Sequence, residues 1–138
     1  MVLKILTEED LPFLLEVRNH ESTRINLEND SIFTLEQCKE WFKNLKEPWY
    51  IIIVRDTKVG YVRIDKEYVG VDIHPDHRKK GYAKLAYKHI LSTKFIPKLW
   101  VFEDNFAKQL YLDLGFIETG NVKYIRERKY IEMKYESL

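Results

Sequence analysis

The run His77-Arg78-Lys79-Lys80-Gly81 sets three fixed positive charges and a glycine within five residues. Directly after it Tyr82, Leu85, Ala86, His89 and Ile90 recur at i, i+3, i+4, i+7 and i+8, the spacing of one helical face. A helix that opens at a glycine presents N–H groups it cannot satisfy itself. Those groups carry the positive end of the helix dipole and suit a phosphate, and the basic side chains add charge beside them. The chemistry indicated is anion binding. On these residues alone, a solvated basic turn that caps a helix reads equally well.

The turn needs elements to hold it. Tyr68–Ile73 is an apolar strand, and Pro75 ends it because proline has no N–H for a ladder. Upstream, Val2–Leu6 is β-prone. Thr7 with Asp10 marks a helix start that continues through Leu11, Leu14, Leu15 and Arg18. Residues 18–33 are polar and irregular, a loop with room for one helical turn. Thr34 and Gln37 form a capping box, and Leu35, Cys38, Trp41, Phe42 and Leu45 line one helical face. Trp49–Val54 and Val59–Asp65 read as a hairpin. Leu99–Phe102 is a buried strand, parallel to Tyr68–Ile73 because a helix joins them. Phe106, Ala107, Leu110, Tyr111 and Leu114 predict a helix closed by Gly115. Phe116–Ile125 and Lys129–Tyr135 predict two closing antiparallel strands. The order is β-α-α-β-β-β-α-β-α-β-β, a single mixed α/β domain spanning 1–138.

The bulk numbers exclude several classes. A chain of 138 residues with 45% hydrophobic and 33% charged content is one globular domain. A formal net charge of +1 gives no bulk attraction to nucleic acid. No apolar run approaches a membrane span, and the N-terminus does not read as a signal peptide. The lone Cys38 fits a reducing compartment, so a cytoplasmic location is expected. His74 and His77 lack the further ligands of a zinc site, and no metal is expected.

Arg78-x-x-Gly81-x-Ala83 resembles the pyrophosphate signature Q/R-x-x-G-x-G/A of the GNAT family of N-acetyltransferases, in the same strand, proline, loop and helix setting. Asp104–Phe116 resembles the family's later segment N-x-x-A-x-x-L-Y-x-x-x-G-F, with Ala107, Leu110, Tyr111, Gly115 and Phe116 in register. In strict register the asparagine position is Asp104, and Asn105 follows one residue late; either one meets the pantetheine arm. The element order is similar to the family's, so the resemblance covers essentially the whole chain and implies central parallel strands that splay apart.

The resemblance implies acetyl-CoA as the donor. It implies that main-chain groups of Val71, Asp72 and Ile73 meet the pantetheine and the thioester carbonyl. Arg78 and the amides of Lys79, Lys80, Gly81, Tyr82, Ala83 and Lys84 would grip the diphosphate. Tyr111 stands where the family places the tyrosine that protonates the departing thiolate; read simply as a helix-face tyrosine, it is core packing. Direct attack by the amine needs no covalent enzyme intermediate, so Cys38 is expected in the core. Glu67 lies six residues before Ile73, where some members carry a glutamate base acting directly or through water; it reads equally as a turn residue. Asp72 and His74 are weaker candidates for that base.

The segment from Arg18 to Lys46 resembles a subgroup that acetylates amino groups on nucleotide-linked sugars. Its Arg18-Asn19, its Ile32, its Glu36 with Trp41-Phe42 and Leu45, and the strand Gly60–Asp65 (GYVRID) carry the likeness, while Cys38 replaces the subgroup's histidine. Arg18, Asn19 and Trp41 are the candidate acceptor contacts. Ribosomal-protein acetyltransferases share the Arg-Asn stretch, which leaves a protein N-terminal amine as the alternative acceptor. A non-catalytic coenzyme A sensor or scaffold is the third reading. Monomer and homodimer both remain open.

Overall fold

The computed structural model describes residues 1–136. Seven strands form one sheet: β1 (Val2–Ile5), β2 (Tyr50–Val54), β3 (Thr57–Asp65), β4 (Tyr68–Ile73), β5 (Lys98–Phe102), β6 (Phe116–Ile125) and β7 (Arg128–Tyr135), in the order β1-β2-β3-β4-β5-β7-β6. Every neighbouring pair is antiparallel except β4 and β5. Helices α1 (Leu11–Arg18), α2 (Glu21–Arg24) and α3 (Leu35–Lys43) precede the first hairpin, α4 (Tyr82–Leu91) joins β4 to β5, and α5 (Ala107–Leu114) follows β5. The single turn expected within residues 18–33 is α2.

Strand alternation divides the core between the two faces of the sheet. Val62, Val69, Leu99 and Ile131 pack with Ala86, Tyr87 and Ile90 of α4. Ile51 and Tyr61 pack on the other face with Leu11, Leu14 and Val17 of α1 and Cys38 of α3. The predicted capping box holds α3: Gln37 N donates to Thr34 Oγ1 at 3.1 Å, and Thr34 N donates to Gln37 Oε1 at 2.9 Å. One expectation fails at α5. Asn105 Oδ1 accepts from Ala107 N at 2.9 Å, so the helix begins after Phe106, which is turned out and 98% exposed instead of joining the apolar face.

Asp10 ties three elements together. Its carboxylate accepts from Thr7 N at 2.9 Å and lies 2.8 Å from Lys4 Nζ on β1 and 2.7 Å from Lys58 Nζ on β3, while the residue is 1% exposed. Burial alone would raise its pKa; the hydrogen bonds from Lys4, Lys58 and Thr7 outweigh that and hold the carboxyl well below the usual range. A folded-state pKa below the unfolded one contributes stability that is present above the ordinary value of 3.8 and lost as pH falls through the depressed one. Both lysines are half-exposed and screened, so most of the effect lies in the buried hydrogen bonds. Asp10→Asn is expected to cost about 2 kcal/mol near neutrality and to flatten the acid limb of stability below about pH 4, read by urea unfolding across pH.

Candidate active site

The parallel ladder between β4 and β5 is one register pair long, Tyr68 with Lys98. From Val69 to Ile73 the edge of β4 that faces β5 has no strand partner among the described residues. The diverging strands leave a wedge, with a cavity at each side of it. A cavity of about 270 Å³ is lined by Val71, Asp72 and Ile73 of β4, Val101 of β5, and Asn105 and Ala107 at the start of α5. A second, of about 430 Å³, is lined by Tyr68, Val69 and Gly70 of β4, Leu99 of β5, Lys123 of β6 and Tyr130 of β7. Arg63, Trp100 and Tyr111 line both, so the two cavities meet at these residues.

Arg63 occupies the space that Gly70 leaves: a Cβ there would stand 2.3 Å from Arg63 Nη2. Its guanidinium donates to Asp72 from Nε at 2.8 Å and from Nη2 at 3.4 Å. Burial would lower its pKa, but the Asp72 carboxylate raises it, so it stays charged. Tyr111 packs edge-on against Tyr87 and Phe116, with centroids 5.3 and 5.9 Å away, and its hydroxyl oxygen accepts from Tyr87 OH at 3.4 Å. Burial pushes the Tyr111 phenol up, so it is a proton donor across the physiological range.

At the mouth of α4, Gly81 has φ +78° and Lys79 φ +62°. The left-handed bends bring the main chain round so that the six amides of residues 79–84 donate to no backbone carbonyl among the described residues. A Cβ built on Gly81 meets nothing within 4 Å, so the chain is open to space at that residue. Lys79, Lys80 and Lys84 are exposed and form no ion pair among the described residues. Six free amides, three unpaired ammonium groups and open space fit a diphosphate.

The other expected residues fall in different places. Arg78 turns away from the amides and braces the wedge, with Nε on Ile73 O at 3.0 Å, Nη1 on Ser22 Oγ at 2.6 Å and Nη2 on Thr23 Oγ1 at 2.9 Å. Asp104 is held outside by Arg128, whose Nη2 is 2.7 Å from Asp104 Oδ1, whereas Asn105 lines the smaller cavity. Glu67 lies in the β3–β4 turn, paired with Lys98 at 3.2 Å, and lines neither cavity. Arg18 lines the larger cavity. Asn19 is a brace: its Nδ2 donates to Phe33 O at 2.8 Å and its Oδ1 accepts from Phe33 N at 3.0 Å. Trp41 stands one cleft away, and Cys38 is buried with its thiol pKa raised by burial. His74 caps the turn after β4 and pairs with Glu16 at 2.9 Å. Arg63, Trp100, Lys123 and Tyr130 were not singled out from the sequence. The signal available for Arg63 was Asp72, an opposite charge at facing parity on the adjoining predicted strand.

A family model described as the acetyltransferase (GNAT) family matches residues 6–116. The chain belongs to this family. Membership makes it an acetyl-CoA-dependent N-acetyltransferase. Spermidine N-acetyltransferase from Vibrio cholerae, in complex with CoA and spermine, superposes with a TM-score of 0.86 at 20% identity, over 96% of this chain and 93% of that one. Ribosomal-protein-alanine N-acetyltransferase from Brucella melitensis gives 0.78 at 20% identity, over 99% and 100%. An N-acetyltransferase from Staphylococcus aureus Mu50 gives 0.74 at 15%, over 98% and 97%. At such identities the likeness speaks for the GNAT fold. No curated protein is significantly similar to the chain in sequence. No helix among the described residues is long and apolar enough to cross a membrane.

Proposed function

We propose that this acetyltransferase modifies the primary amine of a small molecule, an amino sugar carried on a nucleotide. The observation that carries the reading is the junction of the two cavities at Tyr111, with aromatic faces and charges of both signs on the acceptor side. Trp100 lies near-parallel to Tyr130 at 5.4 Å and to Tyr68 at 6.5 Å, with Lys123 Nζ 4.4 Å over its ring, an aromatic and cationic wall for a polar ring. Arg18, Lys123, Glu28 and Asp65 around it supply donors and acceptors for hydroxyl groups.

Acetyl-CoA supplies an acetyl thioester. The amides of residues 79–84 bind its diphosphate, and Lys79 and Lys80 add charge there. The open edge of β4 at Val71, Asp72 and Ile73 orients the arm and directs N–H groups toward the thioester oxygen. Asn105 closes the opposite side of the smaller cavity. Tyr111 delivers a proton to the leaving sulfur, and Tyr87, which donates to it, is the next group along. The attacking nitrogen must be neutral. Glu67 would act as base only through water, because its carboxylate stands outside the acceptor cavity and holds Lys98.

Incubation with acetyl-CoA and a panel of amino sugars, nucleotide-linked amino sugars, polyamines and N-terminal peptides, followed by release of free thiol, tests the reading. Transfer is expected fastest to a nucleotide-linked amino sugar. Activity confined to peptides or polyamines would overturn the sugar assignment.

A further inference from the structure

A further cavity lies beside the first two, between α1 and α3. It measures about 510 Å³ and is lined by Leu14, Leu15, Phe33, Trp41 and Trp49. Phe33, Trp41 and Trp49 are half-buried, so each leaves part of a ring to the cleft. Trp41 and Trp49 meet edge to face at 4.5 Å, and Trp49 Nε1 already donates to Ile64 O at 3.0 Å. Arg18 and Trp49 line both this cleft and the acceptor cavity, so the two adjoin at these residues.

Two side-chain amides at the cleft have capacity left over. Gln37 Oε1 closes the α3 capping box, and its NH₂ has no partner among the described residues. Asn44 Nδ2 donates to Glu40 O at 2.9 Å, and its carbonyl oxygen has no partner among the described residues. An alkyl chain would leave that donor and that acceptor unused. A flat heteroaromatic ring with both kinds of group on its edge uses them and stacks on the aromatic walls. At the junction the Arg18 guanidinium lies 4.9 Å from the Phe33 ring centre and gives one N–H to Asn29 O and one to Ser31 O, leaving three of the five donors of an arginine. Three donors on a fixed cation suit phosphate oxygens passing from one cavity to the other.

We propose that the α1–α3 cleft is the nucleobase subsite of the acceptor, with Arg18 over the phosphates that link base to sugar. This rests on the sugar reading above and extends it. It gives Trp41 a direct role and Asn19 a positioning one, since Asn19 fixes the Phe33 wall.

The test is calorimetric titration of the full chain, saturated with coenzyme A so that the cofactor site is filled, with uridine 5′-monophosphate, adenosine 5′-monophosphate and ribose 5-phosphate. Saturable nucleotide binding is expected, with ribose 5-phosphate weaker by about tenfold or more. Trp41→Ala and Gln37→Glu should each weaken nucleotide binding by about tenfold, with coenzyme A affinity unmoved. The glutamate keeps the oxygen that caps α3, so the second variant guards against a fold defect in the first. Equal affinity for ribose 5-phosphate, or nucleotide affinity unchanged in both variants, would overturn the subsite. So would a wild-type dimer that Trp41→Ala converts to a monomer in light scattering, because a second copy would then cover the cleft. Nucleotide binding without transfer to nucleotide-linked sugars would sink the sugar reading and leave the subsite standing. Equal kcat/KM for free and nucleotide-linked sugars would overturn the subsite and cut the acceptor back to an amino sugar without its nucleotide.

Discussion

Tyr111→Phe is expected to lower kcat by about two to three orders of magnitude while acetyl-CoA still binds. The substitution removes one oxygen and keeps the ring that packs on Tyr87 and Phe116, so the fold should hold. What is lost is the only hydroxyl among the described residues that lines both cavities. The departing thiolate must then take its proton from water. Because burial raises the Tyr111 pKa above its ordinary 10, the acid form persists and rates should not fall on its account below about pH 10. Steady-state kinetics with a thiol reagent and calorimetry with acetyl-CoA separate the two effects. Unchanged turnover would remove Tyr111 from the mechanism. A wild-type chain that binds acetyl-CoA tightly and transfers to no amine would favour the sensor reading.

Gly60→Ala should carry the largest stability cost. Gly60 lies on β3 opposite Ile73 of β4, and an added Cβ would stand 2.3 Å from the carbonyl oxygen of Asp72 and 3.0 Å from Ile73 Cα. Both are main-chain atoms held in the sheet, so relief requires the strands to part next to the wedge. The expected loss is about 3 kcal/mol, or roughly 10 °C in Tm, read by thermal and urea unfolding. Gly81→Ala is the control. Its Cβ meets open space, so only the left-handed backbone is strained, at about 1 kcal/mol. If the two variants melt together, the close approach at Gly60 is not limiting.

The local devices were readable from the chain alone, because each depends on residues within a turn or two. The Thr34–Gln37 box, Gly115 closing α5 and the glycine at the mouth of α4 all appear where spacing placed them. So does the open row of amides, which needs only a basic turn, a glycine and an apolar helical stripe.

Pairing across distance was decided by the tertiary structure. Arg78 has the right spacing for a diphosphate, yet Ser22 and Thr23 on α2, more than fifty residues away in sequence, take its guanidinium. Asp104 and Asn105 are neighbours in the chain, and Arg128 from β7 separates their fates by binding only the first. The aromatic row joins Tyr68, Trp100 and Tyr130, because β5 and β7 lie side by side although α5 and β6 separate them in the chain. Periodicity states which face a side chain takes. It does not state which distant side chain shares that face, and the charges and aromatic rings that line the larger cavity of the wedge depend on that second fact.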